Sequence, residues 1–130
     1  MTGVLLDTHA YVWALTSAER LGPAAGPLLR DRSTRLLVSA ATAWEMAIKH
    51  RAGRWPEVEP LLAQHERLVS RLGAQTLAID SEDALLAGGM SWEHGDPFDR
   101  VLAAQALRRD LRLLSRDGAF AAVHGLRVLW

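Results

Sequence analysis

Apolar residues in this chain fall into short unbroken runs separated by longer stretches with a 3.6-residue period. Gly3-Val4-Leu5-Leu6, Arg35-Leu36-Leu37-Val38, Thr76-Leu77-Ala78-Ile79, Arg112-Leu113-Leu114-Ser115 and Leu126-Arg127-Val128-Leu129 read as five strands, and the most apolar of them suit a sheet buried on both faces. Between them lie helical segments. Ala10 to Leu15 carries Trp13, and after the Gly22-Pro23 break a second stretch runs through Leu28 and Leu29. Ser39 to His50 contains Glu45 and is followed by Gly53, placed to end the helix in a left-handed turn. Pro56 to Leu72 has helical period and is closed by Gly73, and Asp80 opens a short helix that stops at Gly88-Gly89. Strands alternating with helices predict an α/β domain, three layers α/β/α with a central parallel sheet of about five strands, over residues 1–130 as one unit.

The most informative stretch runs from Asp96 to Leu107. Asp96 suits an N-cap, Pro97 the first helical turn, and Asp99 the N3 position of a capping box. Leu102, Ala103, Ala106 and Leu107 form one apolar stripe, with Asp99 at its middle. A carboxylate on a buried face needs a partner, because an unpaired buried charge is expensive.

Composition narrows the chemistry. With 49% apolar and 23% charged residues in 130, this is an ordinary globular composition with room for a core. Basic and acidic residues balance at 15 each, so no bulk attraction to nucleic acid is evident, although all the basic residues but Lys49 are Arg. The absence of cysteine excludes disulfides, thiolate metal sites and Cys nucleophiles. Asp7 and His9 interrupt the first apolar run and no basic segment precedes it, which argues against a signal peptide; no run reaches membrane-spanning length, and a cytoplasmic location is expected.

Four acids then stand out. Asp7 and Asp117 directly follow apolar strands, at the sheet end where α/β proteins bind ligands. Glu45 sits inside a helix, bordering an apolar arc of Ala40, Ala41, Trp44, Ala47 and Ile48, and Asp99 opens another helix. Each has a plainer role available: Glu45 as an i,i+4 partner of Lys49, Asp117 as the cap of a short helix over Ala119 to Val123, Asp99 as a first-turn acid. Asp7 has the weakest such alternative, since no periodic helix demands a cap there. Gathered at one end of a sheet, four carboxylates repel one another unless a cation joins them. Without cysteine, the fitting cation is Mg²⁺ or Mn²⁺ held by oxygen, which is the chemistry of phosphodiester hydrolysis by activated water.

The blocks Leu5-Leu6-Asp7-Thr8-His9, Trp44-Glu45-Met46-Ala47-Ile48-Lys49, His94-Gly95-Asp96-Pro97-Phe98-Asp99-Arg100, Ala104-Gln105-Ala106 and Leu114-Ser115-Arg116-Asp117 resemble, in order, those of the PIN-domain family, and more closely its VapC-type toxins. The resemblance runs from Val4 to the C-terminus and implies a PIN-like fold. It implies that Asp7, Glu45, Asp99 and Asp117 are the catalytic acids holding Mg²⁺ or Mn²⁺. It further implies an endoribonuclease that leaves a 5′-phosphate and a 3′-hydroxyl on RNA, a cognate VapB-type antitoxin as partner, and a homodimer.

Around these acids, Thr8 and Ser115 are candidates to hydrogen-bond ligating carboxylates or the phosphate, Arg100 and Arg116 to contact phosphate, and Asp96 to be a helix cap or a further ligand. His9 and His94 flank the site in sequence without an assigned role. Among the five tryptophans, Trp44 reads as core, whereas Trp55 and Trp92 lie outside any periodic pattern and are candidates for an RNA or partner surface. Two rival readings remain. One is a PIN-like module that binds RNA or protein without cutting. The other is a phosphatase with Asp7 as nucleophile, disfavoured because His9 stands where such sites place a second Asp.

Overall fold

The structure, a computed structural model, describes residues 3–130. Five parallel strands form one sheet in the order β3-β2-β1-β4-β5: β1 Val4–Leu6, β2 Leu36–Ser39, β3 Ala74–Leu77, β4 Arg112–Leu114 and β5 Val128–Leu129. β1 is central, with Val4 opposite Leu36 on one side and Arg112 on the other. Among the described residues, seven α-helices cover the sheet: α1 Thr8–Thr16, α2 Ala25–Arg30, α3 Ala40–Arg51, α4 Glu59–Ala63, α5 His65–Arg71, α6 Ser81–Gly89 and α7 Pro97–Arg108. No helix among the described residues is long and apolar enough to cross a membrane.

The alternation of strand side chains divides the core in two. Val4, Leu6 and Val38 pack with Tyr11, Trp13, Val58 and Val69 on one face. Leu5, Leu37 and Leu113 pack with Leu102, Ala103, Ala106 and Phe120 on the other. A three-layer α/β/α architecture results, with α7 almost wholly sunk into its layer: Leu102, Ala103 and Ala104 are inaccessible to solvent.

Three sequence expectations need correcting. The period from Pro56 to Leu72 predicted one helix, but the chain forms a 3-10 turn, Pro56–Val58, and then α4 and α5. Pro60 sits in the first turn of α4, where its missing N–H is harmless, so the helix restarts there instead of continuing. The third strand is Ala74–Leu77, two residues earlier than the apolar run suggested, because it lies at the sheet edge and is only partly covered. Trp44 is not core. It is 51% exposed, and its neighbours Ala47 and Ile48 are exposed as well; the buried side of α3 carries Ala41, Thr42, Glu45 and Met46. Apart from Ala41, the apolar arc points to solvent, because the opposite side of the helix supplies an acid to the end of the sheet.

Candidate active site

Asp7 is the first residue beyond central strand β1, so the strand's end carries it to the carboxyl edge of the sheet. Contrary to expectation it is a cap: α1 begins at Thr8, and Asp7 Oδ1 accepts a 2.7 Å hydrogen bond from the Ala10 amide. The start of α1 is buried nearly all round, with Ala10, Tyr11, Val12 and Trp13 all covered, so no periodic stripe marked where the helix begins. Burial pushes the Asp7 carboxyl above its ordinary pKa. The neighbouring Ser115 hydroxyl, the Ala10 amide and the His9 charge pull it back, while Glu45 raises it further.

Glu45 is buried on α3 and held at both oxygens. Thr8 Oγ1 donates to Oε1 at 2.6 Å, and Lys49 Nζ donates to Oε2 at 2.5 Å. The i,i+4 pair expected from sequence therefore exists, and it coexists with the approach of Glu45 to the sheet edge. Thr42 lies against the same hydroxyl, Oγ to Oγ 3.1 Å.

Asp99 occupies the N3 position of α7, and Asp96 is the N-cap, its Oδ1 accepting from the Phe98 and Asp99 amides at 2.8 and 3.2 Å. Burial lifts the Asp99 carboxyl from 3.8 to about 6; the hydrogen bond and charge of His94 oppose this rise, and the charges of Asp96 and Glu45 add to it. His94 Nε2 lies 2.7 Å from Asp99 Oδ2. Asp117 is more open. It follows β4, caps a 3-10 turn through the Ala119 amide, and its own amide donates to Ser115 Oγ at 3.0 Å.

These groups form a chain of neighbours across the sheet edge. One ligand atom each from His94, Asp99 and Asp117 lies within 4.8 Å of the others. Asp7 and Asp117 share a cleft of about 350 Å³ with His9, Trp13, Arg116 and Trp130, and Glu45 acts electrostatically on both Asp7 and Asp99. The compact donor trio includes His94, which had no assigned role among the sequence expectations. The five-residue step from His94 to Asp99, across Gly95 and the Asp96 cap, was the available signal.

The two arginines part ways. Arg100 donates to four main-chain carbonyls: Nε to Ala87, Nη1 to Trp92 and His94, and Nη2 to Met90, at 2.6 to 3.0 Å. Its donors tie the loop that carries His94 to the end of α6, satisfying carbonyls that a helix end leaves open. Arg116 makes no ion pair among the described residues and stands with its guanidinium carbon 4.8 Å over the Trp13 ring, at the mouth of the cleft. Trp92 is half-buried between Phe120 and His94, and Trp55 packs against the core edge and stacks on His9.

Residues 4–126 match the PIN domain. The chain belongs to the PIN-domain family. Over 118 residues, 90% of this chain and 88% of the relative, it is 30% identical to the protein named Ribonuclease VapC22 of Mycobacterium tuberculosis (strain ATCC 25618 / H37Rv). A shorter likeness, 36% over 53 residues, covers 41% of this chain and 38% of Ribonuclease VapC16 of the same organism. The fold recurs in a DNA-bound VapBC crystal structure from Salmonella typhimurium, with a TM-score of 0.74 at 20% identity over 99% of this chain and 98% of that one. It recurs also in VapBC2 from Rickettsia felis bound to a promoter DNA fragment, with a TM-score of 0.71 at 13% identity over 97% and 96%. The PIN fold and VapC likeness thus span nearly the whole chain.

Proposed function

We infer that this PIN-domain protein is a Mg²⁺- or Mn²⁺-dependent endoribonuclease, the toxin of a toxin–antitoxin pair, with Asp7, Glu45, Asp99 and Asp117 as its catalytic acids. The observation that carries the reading is the run of acids along one sheet edge, two of them pushed toward the protonated state by burial against the opposing pull of His9 and His94. Such a site is complementary to a cation. The donors are carboxylate oxygens with one imidazole nitrogen and no sulfur, which fits a hard divalent ion.

Asp99, Asp117 and His94 would hold the ion most directly, with Asp7 and Glu45 completing the cup. A bound Mg²⁺ or Mn²⁺ supplies Lewis-acid activation of water and relief of charge on the phosphate. The protein's own groups do the rest. Thr8 and Lys49 fix the Glu45 carboxylate, and Ser115 orients Asp7 while accepting from the Asp117 amide. Arg100 positions the His94 loop, and Arg116, which lines the cleft without an ion pair among the described residues, would take two phosphate oxygens as a bidentate pair. The named relatives support the ribonuclease activity, and the VapBC complexes with the same fold support an antitoxin as partner. Homodimerisation remains part of the proposal through the family likeness alone.

Incubating the purified protein with single-stranded RNA in Mn²⁺, and again with chelator, tests the reading. Cleavage that stops with chelator and returns with added Mn²⁺ or Mg²⁺ is expected. RNA bound but uncut in every condition would instead establish a non-catalytic binding module.

A further inference from the structure

Beside the acid cup lies a second cleft that the proposed chemistry does not use. It has a volume of about 270 Å³ and is lined by His9, Lys49, Arg54 and Trp55. His9 also lines the cleft of Asp7 and Asp117, so its ring is the partition between the two.

The second cleft is built from fixed parts. α3 ends at Arg51, and Gly53, at φ +73°, reverses the chain so that the Arg54 amide donates back to the Lys49 carbonyl at 3.0 Å. That left-handed turn suits glycine and sets Arg54 and Trp55 immediately beyond the helix. Trp55 packs by one side against the core and stays partly exposed, its ring 4.9 Å from His9 and inclined by 30°. His9 is exposed and continues the row to Trp13, 5.4 Å away, over which Arg116 stands. Lys49 Nζ lies 5.7 Å from the Trp55 ring centre while holding Glu45. Arg54 is exposed and forms no ion pair among the described residues.

We propose that this cleft is a nucleotide subsite of the ribonuclease: one base of single-stranded RNA, adjacent to the scissile phosphate, stacks on the His9–Trp55 wall while Arg54 binds its phosphate. The assignment rests on the ribonuclease reading above and adds to it where the strand runs. Flat aromatic surface with unpaired cationic groups is the complement of an unstacked nucleotide, since every base has a face to stack and every link a negative charge. The order of the parts matches a continuous strand: phosphate over the cup and Arg116, then the His9 partition, then base and phosphate at Trp55 and Arg54. Trp55 and His9 are therefore substrate-positioning residues.

Binding measured without catalysis tests the proposal. A fluorescently labelled single-stranded oligoribonucleotide is titrated with the whole protein in chelator and read by anisotropy. Trp55→Ala is expected to weaken binding by roughly 10- to 100-fold, and Trp55→Phe to restore most of it. Arg54→Ala should reduce the slope of log affinity against log salt by about 0.7, the signature of one lost phosphate contact on a single strand. Arg32→Ala, at the opposite end of the sheet before β2, serves as the control for general charge and should leave binding unchanged. If Trp55→Ala lowers the melting temperature, Arg54→Ala, which alters only an exposed side chain, decides by its salt slope. Unchanged RNA binding in both Trp55→Ala and Arg54→Ala overturns the subsite, as does a loss confined to a protein partner. The two readings fail separately: wild type that binds RNA through Trp55 but never cuts it refutes the nuclease and keeps the subsite, whereas cutting indifferent to both substitutions does the reverse.

Discussion

Replacing Asp99 by Asn gives the sharpest test of the acid cup. In the unfolded chain this carboxyl ionises near 3.8, and in the folded protein burial and the charges of Asp96 and Glu45 delay ionisation to about 6, against the pull of His94. A raised carboxyl pKa works against folding at neutral pH. Below about pH 4 both states hold the proton and nothing is lost. Between 4 and 6 the unfolded chain releases it first, and stability falls as pH rises; above 6 the full penalty stands. The rise from 3.8 to about 6 corresponds to at most about 3 kcal/mol, and the 17% exposure of the side chain trims this toward 2. Asparagine keeps the shape and an acceptor for His94 but no charge. With chelator at pH 7, Asp99→Asn should therefore melt roughly 5–10 °C above the wild type, and the gap should close as pH is lowered toward 4. Saturating Mn²⁺ at a hundred times its dissociation constant should stabilise the wild type by about 2.7 kcal/mol and the variant far less. Circular-dichroism melts at three pH values, with chelator and with Mn²⁺, supply every number. A variant that melts below the wild type in chelator at pH 7, with an unchanged response to Mn²⁺, would show Asp99 to be only a helix-start acid and refute the reasoning.

Three further outcomes are expected. Asp7→Asn keeps a good N-cap for α1, so the fold should persist by circular dichroism while RNA cleavage drops at least about a hundredfold; near-normal cleavage removes Asp7 from the site. Arg100→Ala removes the side-chain donors to four carbonyls, of which Met90 keeps the Trp92 amide, and frees the His94 loop, so urea denaturation should show a loss of about 2–4 kcal/mol and Mn²⁺ titration a weaker affinity. Asp83 is fully covered on α6; burial alone would raise its pKa, but bonds from Arg109, Gln105, the Asp80 amide and Arg108 hold it below the usual carboxylate range. Its contribution is present above about pH 4 and lost as pH falls through its depressed pKa, so Asp83→Ala should cost about 2–4 kcal/mol at pH 7 and progressively less in acid, with the difference read from urea melts at several pH values.

The sheet was legible because buried parallel strands are short apolar runs, as β1, β2 and β4 are, whereas the partly covered β3 lay two residues before its run. Their register and the edge position of β3 were not, since apolarity says nothing about which neighbour a strand takes. Glu45 could be singled out but its face could not: an exposed apolar arc with Trp44 and Ile48 mimics a core-facing stripe, and only the structure shows the acid on the buried side. Arg100 and Arg116 looked alike in sequence, each beside a candidate ligand. What separates them is whether carbonyls or water meet the guanidinium, a matter of loop path that no local pattern encodes. Likewise the His9–Trp55 stack joins residues 46 positions apart, across α2, β2 and α3.

The sheet order has a consequence for when activity can begin. Asp7 rides on β1, the earliest of the five described strands, yet one flank of that strand stays open until Arg112–Leu114 arrives, about a hundred residues later. Asp117, the last acid of the edge, comes later still. A nascent or prematurely terminated chain that already carries Asp7, Glu45 and Asp99 has no β4 to close the sheet beside them and no Asp117 to complete the cup. Pairings of such sequence separation form slowly and late. On the proposed reading, the acid edge is therefore completed only after β4 and Asp117 have been made, so the cup assembles at a late step of folding.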